Sequence, residues 1–189
     1  MWQYNYTPNP NDILHYGVPG MRWGHRNRRA MKIEARTTRK LQKSGQMYGK
    51  SDYYKTKGAK AAQNHNKMAT AFNKQAKTYE SQGKALKAEA ARRASSALKA
   101  RGANVKAQND AIANRYEAKA NKKSEKAKAY ASKKHVDIGA KKINEIISGS
   151  KQKGYDSAKK QDKAVRESEL ENRLGESNYE RLNKIRGRG

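Results

Sequence analysis

The sequence predicts an all-α protein: extended helices, arranged as a helical hairpin or coiled coil, with an irregular N-terminal arm and a flexible C-terminal tail. Three observations predict it. Hydrophobic residues make up only 34% of the 189 positions, and much of that share is Ala, too little to offset the ordering entropy of a compact domain. Long runs of Ala, Lys, Gln and Glu favour helix, and with no Cys no disulfide can stand in for a core. The few large apolar residues recur at three- and four-residue spacing in narrow stripes, as in helices that pair lengthwise.

Residues 1–28 form the arm. Trp2, Tyr4 and Tyr6 alternate with polar residues, while Pro8 and Pro10 exclude a helix or central strand. Such aromatics could stack on bases or lie in a protein groove, and the adjacent stretch favours the groove. That stretch, His15-Tyr16-Gly17-Val18-Pro19-Gly20-Met21-Arg22-Trp23-Gly24-His25-Arg26, is the most specific in the chain. Gly17, Gly20 and Gly24 oppose a helix. Val18-Pro19-Gly20-Met21 fits a type II turn, with Pro19 presetting φ and Gly20 accepting φ > 0. Leu14, Tyr16, Val18, Met21 and Trp23 would gather as an apolar knob fringed by Arg22, Arg26, Arg28 and Arg29. A helix cap needs neither Trp nor Met, whereas Trp, Tyr and Arg are common anchors of protein contacts. The expected partner-docking residues are therefore His15, Tyr16, Gly17, Gly20, Met21, Arg22, Trp23, Gly24 and Arg26.

These residues resemble a short motif, His-x-Gly-Ile/Val-x-Gly-Met-Lys/Arg-Trp-Gly-x-Arg, that recurs in head-associated and other structural proteins of tailed bacteriophages and prophages. The likeness spans His15 to Arg26 only. Pro19 stands where Lys is common, and Arg22 where Lys is commoner. The resemblance implies a virion or prophage origin. It transfers no catalytic residue.

Residues 29–50 are expected to form a short basic helix and a break. That helix starts near Arg26 and ends by Ser44-Gly45, with Gly45 and Gly49 making the break and Ser51 or Asp52 capping the next helix. Residues 51–148 form a long Ala/Lys-rich region. From Asp52 to Arg101 it reads as one helix of about 75 Å, with Met68, Phe72, Ala76, Tyr79, Gly83, Leu86, Ala90, Ala94 and Ala97 on one stripe. Gly58 and Gly83 weaken it without necessarily breaking it. A hinge is expected near 102, although Gly102 could sit inside a continuous helix. Beyond it, Leu98, Val105 and Ile112 are seven apart, and Tyr116, Ala120, Ala127 and Ala131 continue that face. Two antiparallel helices, roughly 52–100 and 104–147, could close their small-residue stripes together. Val136, Ile138, Ile143, Ile146 and Ile147 are the most apolar cluster, and Ser148-Gly149-Ser150 ends it. Residues 149–189 are a charged segment: a short helix over 155–174, a further piece around Tyr179–Ile185, and a basic Arg-Gly tail.

Lys and Arg number 44 against 17 Asp and Glu, a net charge of +27. This excess exceeds what solubility requires and calls for a polyanionic counterpart. Nucleic acid comes first, then an acidic protein surface, then an anionic membrane. No stretch is long and apolar enough to span a membrane, and Met1 to Tyr6 do not read as a signal peptide. Nonspecific phosphate contact is expected at Arg28, Arg29, Arg92, Arg93, Lys122, Lys123, Lys133 and Lys134.

Chemistry-bearing constellations are sparse. His15 and His25 have only Asp12 nearby, too few ligands for a metal site. His65 and His135 stand alone. Glu167, Glu169, Glu171 and Glu176 beside Arg166 and Arg173 read as helix-surface ion pairing. No nucleotide-binding or nucleophile motif occurs. The expectation is a non-enzyme without cofactor: a bacteriophage virion-associated protein, in the head interior and, during assembly, the host cytoplasm. It would dock through residues 13–26 to other virion proteins of the capsid or portal region, contact packaged DNA nonspecifically and self-associate through its helices. A helical scaffold or minor capsid assembly protein that binds acidic capsid surfaces is the alternative. A histone-like nucleic-acid-condensing protein is another.

Overall fold

The computed structural model describes residues 23–174, with side chains over 28–173. It is all-α, with no strand among these residues: α1 (Trp23–Ser81), α2 (Ala85–Lys133) and α3 (Ala140–Leu174). At 59 residues, α1 is about 90 Å long and forms the spine. Both α2 and α3 pack on it and share no contact with each other.

The α1–α2 pair is an antiparallel hairpin in one unbroken register. Ser44 Oγ donates to the Ala120 carbonyl at 2.7 Å, and Ser95 Oγ donates to the Ala69 carbonyl at 2.9 Å. The second contact lies twenty-five residues further along α1 and twenty-five back along α2. The seam is built of small residues. Ala69, Ala76, Ala88, Ala91, Ala113, Ala120, Ala127 and Ala131 are buried, with Ser44, Ser51 and Ser95. Gly58 faces Asn109 and Lys106, and Gly102 faces His65 and Ala62. Small side chains bring the axes together and leave little room for the larger residues of the stripe. Phe72 and Tyr79 are half-buried, whereas Met68 is 52% and Leu86 84% exposed.

The helix breaks fall elsewhere than expected. The long helix over 52–101 is divided at Gln82-Gly83-Lys84, where Gly83 takes φ +71°. Gly83 N–H donates to Glu80 O and Lys84 N–H to Tyr79 O, the double bond of a Schellman C-cap, which needs the left-handed φ that glycine supplies. α2 then runs without a hinge through Gly102. Its own end repeats the motif: His135 N–H donates to Ser132 O, Val136 N–H to Ala131 O, and His135 sits at φ 55° where a glycine is usual. This stop at 134–139 corrects the expected helix over 104–147.

The expected stops at Gly45 and Gly49, and at Ser148-Gly149-Ser150, are likewise absent, since α1 and α3 run straight through. Their reason is packing. A Cβ on Gly45 would stand 2.3 Å from Ile147 O, one on Gly49 1.9 Å from Lys151 O, and one on Gly154 2.0 Å from Gln46 O. These three glycines let α3 lie parallel to α1 with backbone against backbone, a contact worth more than the propensity lost inside each helix. The short charged helix over 155–174 is the second half of α3. Ile138 and Ala158 are buried, and Ile143, Ile146 and Ile147 are half-buried. Past Asp162, α3 has no buried residue among those described.

Candidate nucleic-acid interface

Three regions of this frame carry side chains in distinctive arrangements. The first is the junction where α3 lies on α1 opposite the middle of α2. Tyr53 meets Tyr155 of α3 edge to face, with centroids 5.3 Å apart, and Tyr54 stacks on Tyr116 of α2 at 5.7 Å. Tyr53 Oη donates to Asp162 Oδ2 at 2.8 Å, and Lys57 and Arg166 pair with the same carboxylate. Burial, the hydrogen bond to Asp162 and the carboxylate's charge push the Tyr53 hydroxyl up to about 12. Burial pushes the Asp162 carboxyl upward, but hydrogen bonds from Lys57 and Tyr53 outweigh it and hold the group below the usual carboxylate range. Tyr53, Lys57, Arg166 and Asp162 are engaged with one another, so the junction is a clasp that fixes α3.

The second region is a shallow cleft of about 530 Å³ at the α2–α3 connection, lined by Thr37, Leu41, Ala131, His135, Ile138 and Ile143 among others. No cluster of three metal-ligating side chains occurs among the described residues, and no helix there is long and apolar enough to cross a membrane.

The third is the distal arm, residues 59–108, in which α1 and α2 continue together to the Gly83 turn. Its sequence holds eleven Lys and Arg against two acids, Glu80 and Glu89. Glu80 pairs with Arg92 and Glu89 with Arg93, so neither carboxylate offsets the remaining nine cations locally. Because Ala, Ser and Gly occupy the seam, every long side chain of the arm points outward or flanks the seam. Its basic residues are exposed accordingly.

The residues expected to contact nucleic acid do not form one patch. Arg28 and Arg29 lie near the start of α1, and Lys133 and Lys134 at the end of α2, which the antiparallel register brings to the same end of the hairpin. Lys122 and Lys123 lie about 15 Å further along α2, and Arg92 and Arg93 are in the arm, about 60 Å from Lys133. Of the docking residues, His15, Tyr16, Gly17, Gly20, Met21 and Arg22 lie outside the described residues. Trp23, Gly24 and Arg26 belong to the first turn of α1, so the helix begins within the docking stretch and not after it. The sequence reading missed Lys60, Lys67 and Lys74 on α1 and Lys99 and Lys106 on α2, all exposed. The signal was present: Lys60, Lys67 and Lys74 are seven apart, as are Arg92, Lys99 and Lys106.

Comparison with protein-family models, curated proteins and solved structures finds no match to this chain.

Proposed function

We propose that this chain is a non-catalytic structural protein of a tailed-phage or prophage virion. In this reading residues 13–26 dock it to another virion component, and its helical body neutralises packaged DNA through phosphate contacts. The observation that carries the nucleic-acid part is the arm: two helices closed by small residues, with nine cations that no local carboxylate offsets and only two acids, both paired. A surface of this kind gains affinity by releasing counterions from a polyanion and needs no base readout. The virion part rests on the likeness of His15–Arg26 to the phage motif.

The test is binding of the full chain to duplexes of unrelated sequence across a salt series. The expected result is similar affinity for each duplex and a steep log–log salt slope, set by about 6–10 phosphate contacts. Binding that persists at high salt or strongly prefers one sequence would count against the proposal. Mass spectrometry of purified particles tests the virion assignment, which an absent chain would refute. A second reading, an assembly protein that self-associates or binds a capsid surface, draws on the exposed Met68 and Leu86 of the arm.

A further inference from the structure

The two flanks of the arm differ in the side chains they carry. On one, the aromatic rings of Phe72 and Tyr79 line a shallow depression with Gln75, Lys87 and Ala94, and Met68 and Leu86 are exposed on the arm. On the other, a groove of about 490 Å³ is lined by Ala59, Gln63, Asn66, Lys67, Thr70 and Lys106, with Ala62 at its floor. The heptad register extends this second flank. Lys106, Lys99 and Arg92 are seven apart and so share one face of α2, and Arg92 pairs with Glu80 of α1 across the seam. Lys60, Lys67 and Lys74 are seven apart along α1 and stand outside the groove's other wall. Seven helical residues rise about 10.5 Å, so each rim carries three cations spread over roughly 20 Å.

Between the rims lie amides. Gln63 and Asn66 make no side-chain hydrogen bond with any described residue, so their N–H groups are free to donate. Thr70 Oγ1 donates to Asn66 O at 2.9 Å and keeps its lone pairs as acceptors. Two evenly spaced cationic rims over an amide floor match a ligand with charge at regular intervals and oxygen acceptors along its whole length. An acidic protein surface is the competing ligand, and competition by polyglutamate separates the two.

We infer that the groove between the Lys60–Lys67–Lys74 and Arg92–Lys99–Lys106 rows is the seat of a nucleic-acid phosphodiester backbone. The opposite flank, where Phe72, Tyr79 and Lys87 lie, is outside this seat. The inference rests on the nucleic-acid reading above and sharpens it: one flank of the arm, and not the charge of the whole chain, sets the affinity. Strand phosphates are gripped electrostatically by the rims and oriented by the amide donors, and the base edges go unread. Arg92 has a carboxylate partner already, so Lys99 and Lys106 carry the α2 rim, and Lys67 is the α1 cation that lines the groove.

The test uses the full-length chain and a fluorescein-labelled 30-base-pair duplex, with anisotropy read from 0.05 to 0.3 M salt. The triple variant Lys67→Gln/Lys99→Gln/Lys106→Gln is compared with Lys153→Gln/Lys159→Gln/Lys160→Gln, which removes equal charge from α3. All six positions are exposed and Gln is a good helix former, so circular dichroism should be unchanged for both. The expected result is at least a tenfold loss of affinity at 0.1 M salt for the groove variant, with a slope reduced by about 2.7 for three lost contacts. The control should stay within about threefold, and polyglutamate of matched charge should compete poorly. Equal losses in the two variants would overturn the groove while leaving nucleic-acid binding intact. Polyglutamate competing as well as DNA would overturn the phosphate assignment. A parent chain that does not bind the duplex at 0.1 M salt would refute the nucleic-acid reading itself.

Discussion

Gly154→Ala separates the two roles a helical glycine can have. Gly154 lies in the interior of α3, where Ala should favour an isolated helix by about 1 kcal/mol. In the folded chain, the new methyl would stand 2.0 Å from Gln46 O and 2.6 Å from Gln46 Cα and C. All three atoms are backbone, so no rotamer change relieves the overlap, and α3 must move about 1 Å or more away from α1. A gap of that size forfeits a quarter to a half of each dispersion contact across it, and overpacking of this kind costs about 1–3 kcal/mol. Set against the propensity gain, the net effect is a loss of up to about 2 kcal/mol in α3 docking, or as much as roughly 30-fold more frequent opening. Gly149→Ala is the internal control: it lies in the same helix, and its methyl meets nothing within 4 Å, so it should stabilise by about 0.5–1 kcal/mol. The assay is amide hydrogen exchange followed by mass spectrometry. Gly154→Ala should speed exchange across 140–174 and leave the distal arm unchanged, while Gly149→Ala should slow it. If the two variants behave alike, α3 does not lie on α1 as described.

Two further outcomes follow from the caps and the clasp. His135→Gly should raise stability by about 0.5–1 kcal/mol in thermal or urea melts, because φ 55° disfavours any side chain; an unchanged or lowered midpoint would show that the imidazole's contacts in the cleft outweigh that relief. Tyr53 should be the late step in an ultraviolet titration of the tyrosines, at about 12 in place of the usual 10, and Tyr53→Phe should remove that step. Between those values the unfolded chain binds fewer protons than the folded one. The stability contributed by Tyr53 is therefore full below pH 10 and falls as pH rises through the window. The Asp162 carboxylate works at the other end: its stabilisation is full above the usual carboxylate range and is lost as pH falls through its lowered value.

Helical class and pairing were legible because they follow from local propensity and from the spacing of small residues. The chain ends of the helices were not. Gly45, Gly49, Gly102 and Gly149 read as breaks or hinges by propensity alone, and all four sit inside helices. For Gly45 and Gly49 the deciding contact is a backbone about one hundred residues away in sequence, which no local window contains. Gly83 is the reverse case. It has no neighbour to pack against, and its left-handed φ is its whole role. The end of α2 was hidden because His135 does a glycine's work there. On the functional side, adjacent basic pairs drew attention because they are dense in sequence. On a helix, neighbours in sequence point about 100° apart, whereas residues seven apart share a face. Lys60, Lys67 and Lys74 share a face in this way, and that row is legible only once the hairpin register fixes which face α2 covers.

The small-residue seam links stability to the proposed use. Each buried Ala removes little apolar surface, so the arm draws modest hydrophobic stabilisation per residue and depends on close axial approach along its length. That approach drives every Lys and Arg of the arm to its outside. A seam of Leu or Ile would hold the helices more firmly, but it would widen the pair and separate the two cationic rows. With Ala, Ser and Gly between them, Lys67 and Lys106 line a single groove. Self-repulsion among these cations opposes folding at low ionic strength, and a bound polyanion removes that repulsion while releasing its own counterions. Binding and helix pairing should therefore reinforce one another: the arm gains stability from the ligand that its weak seam leaves room to grip.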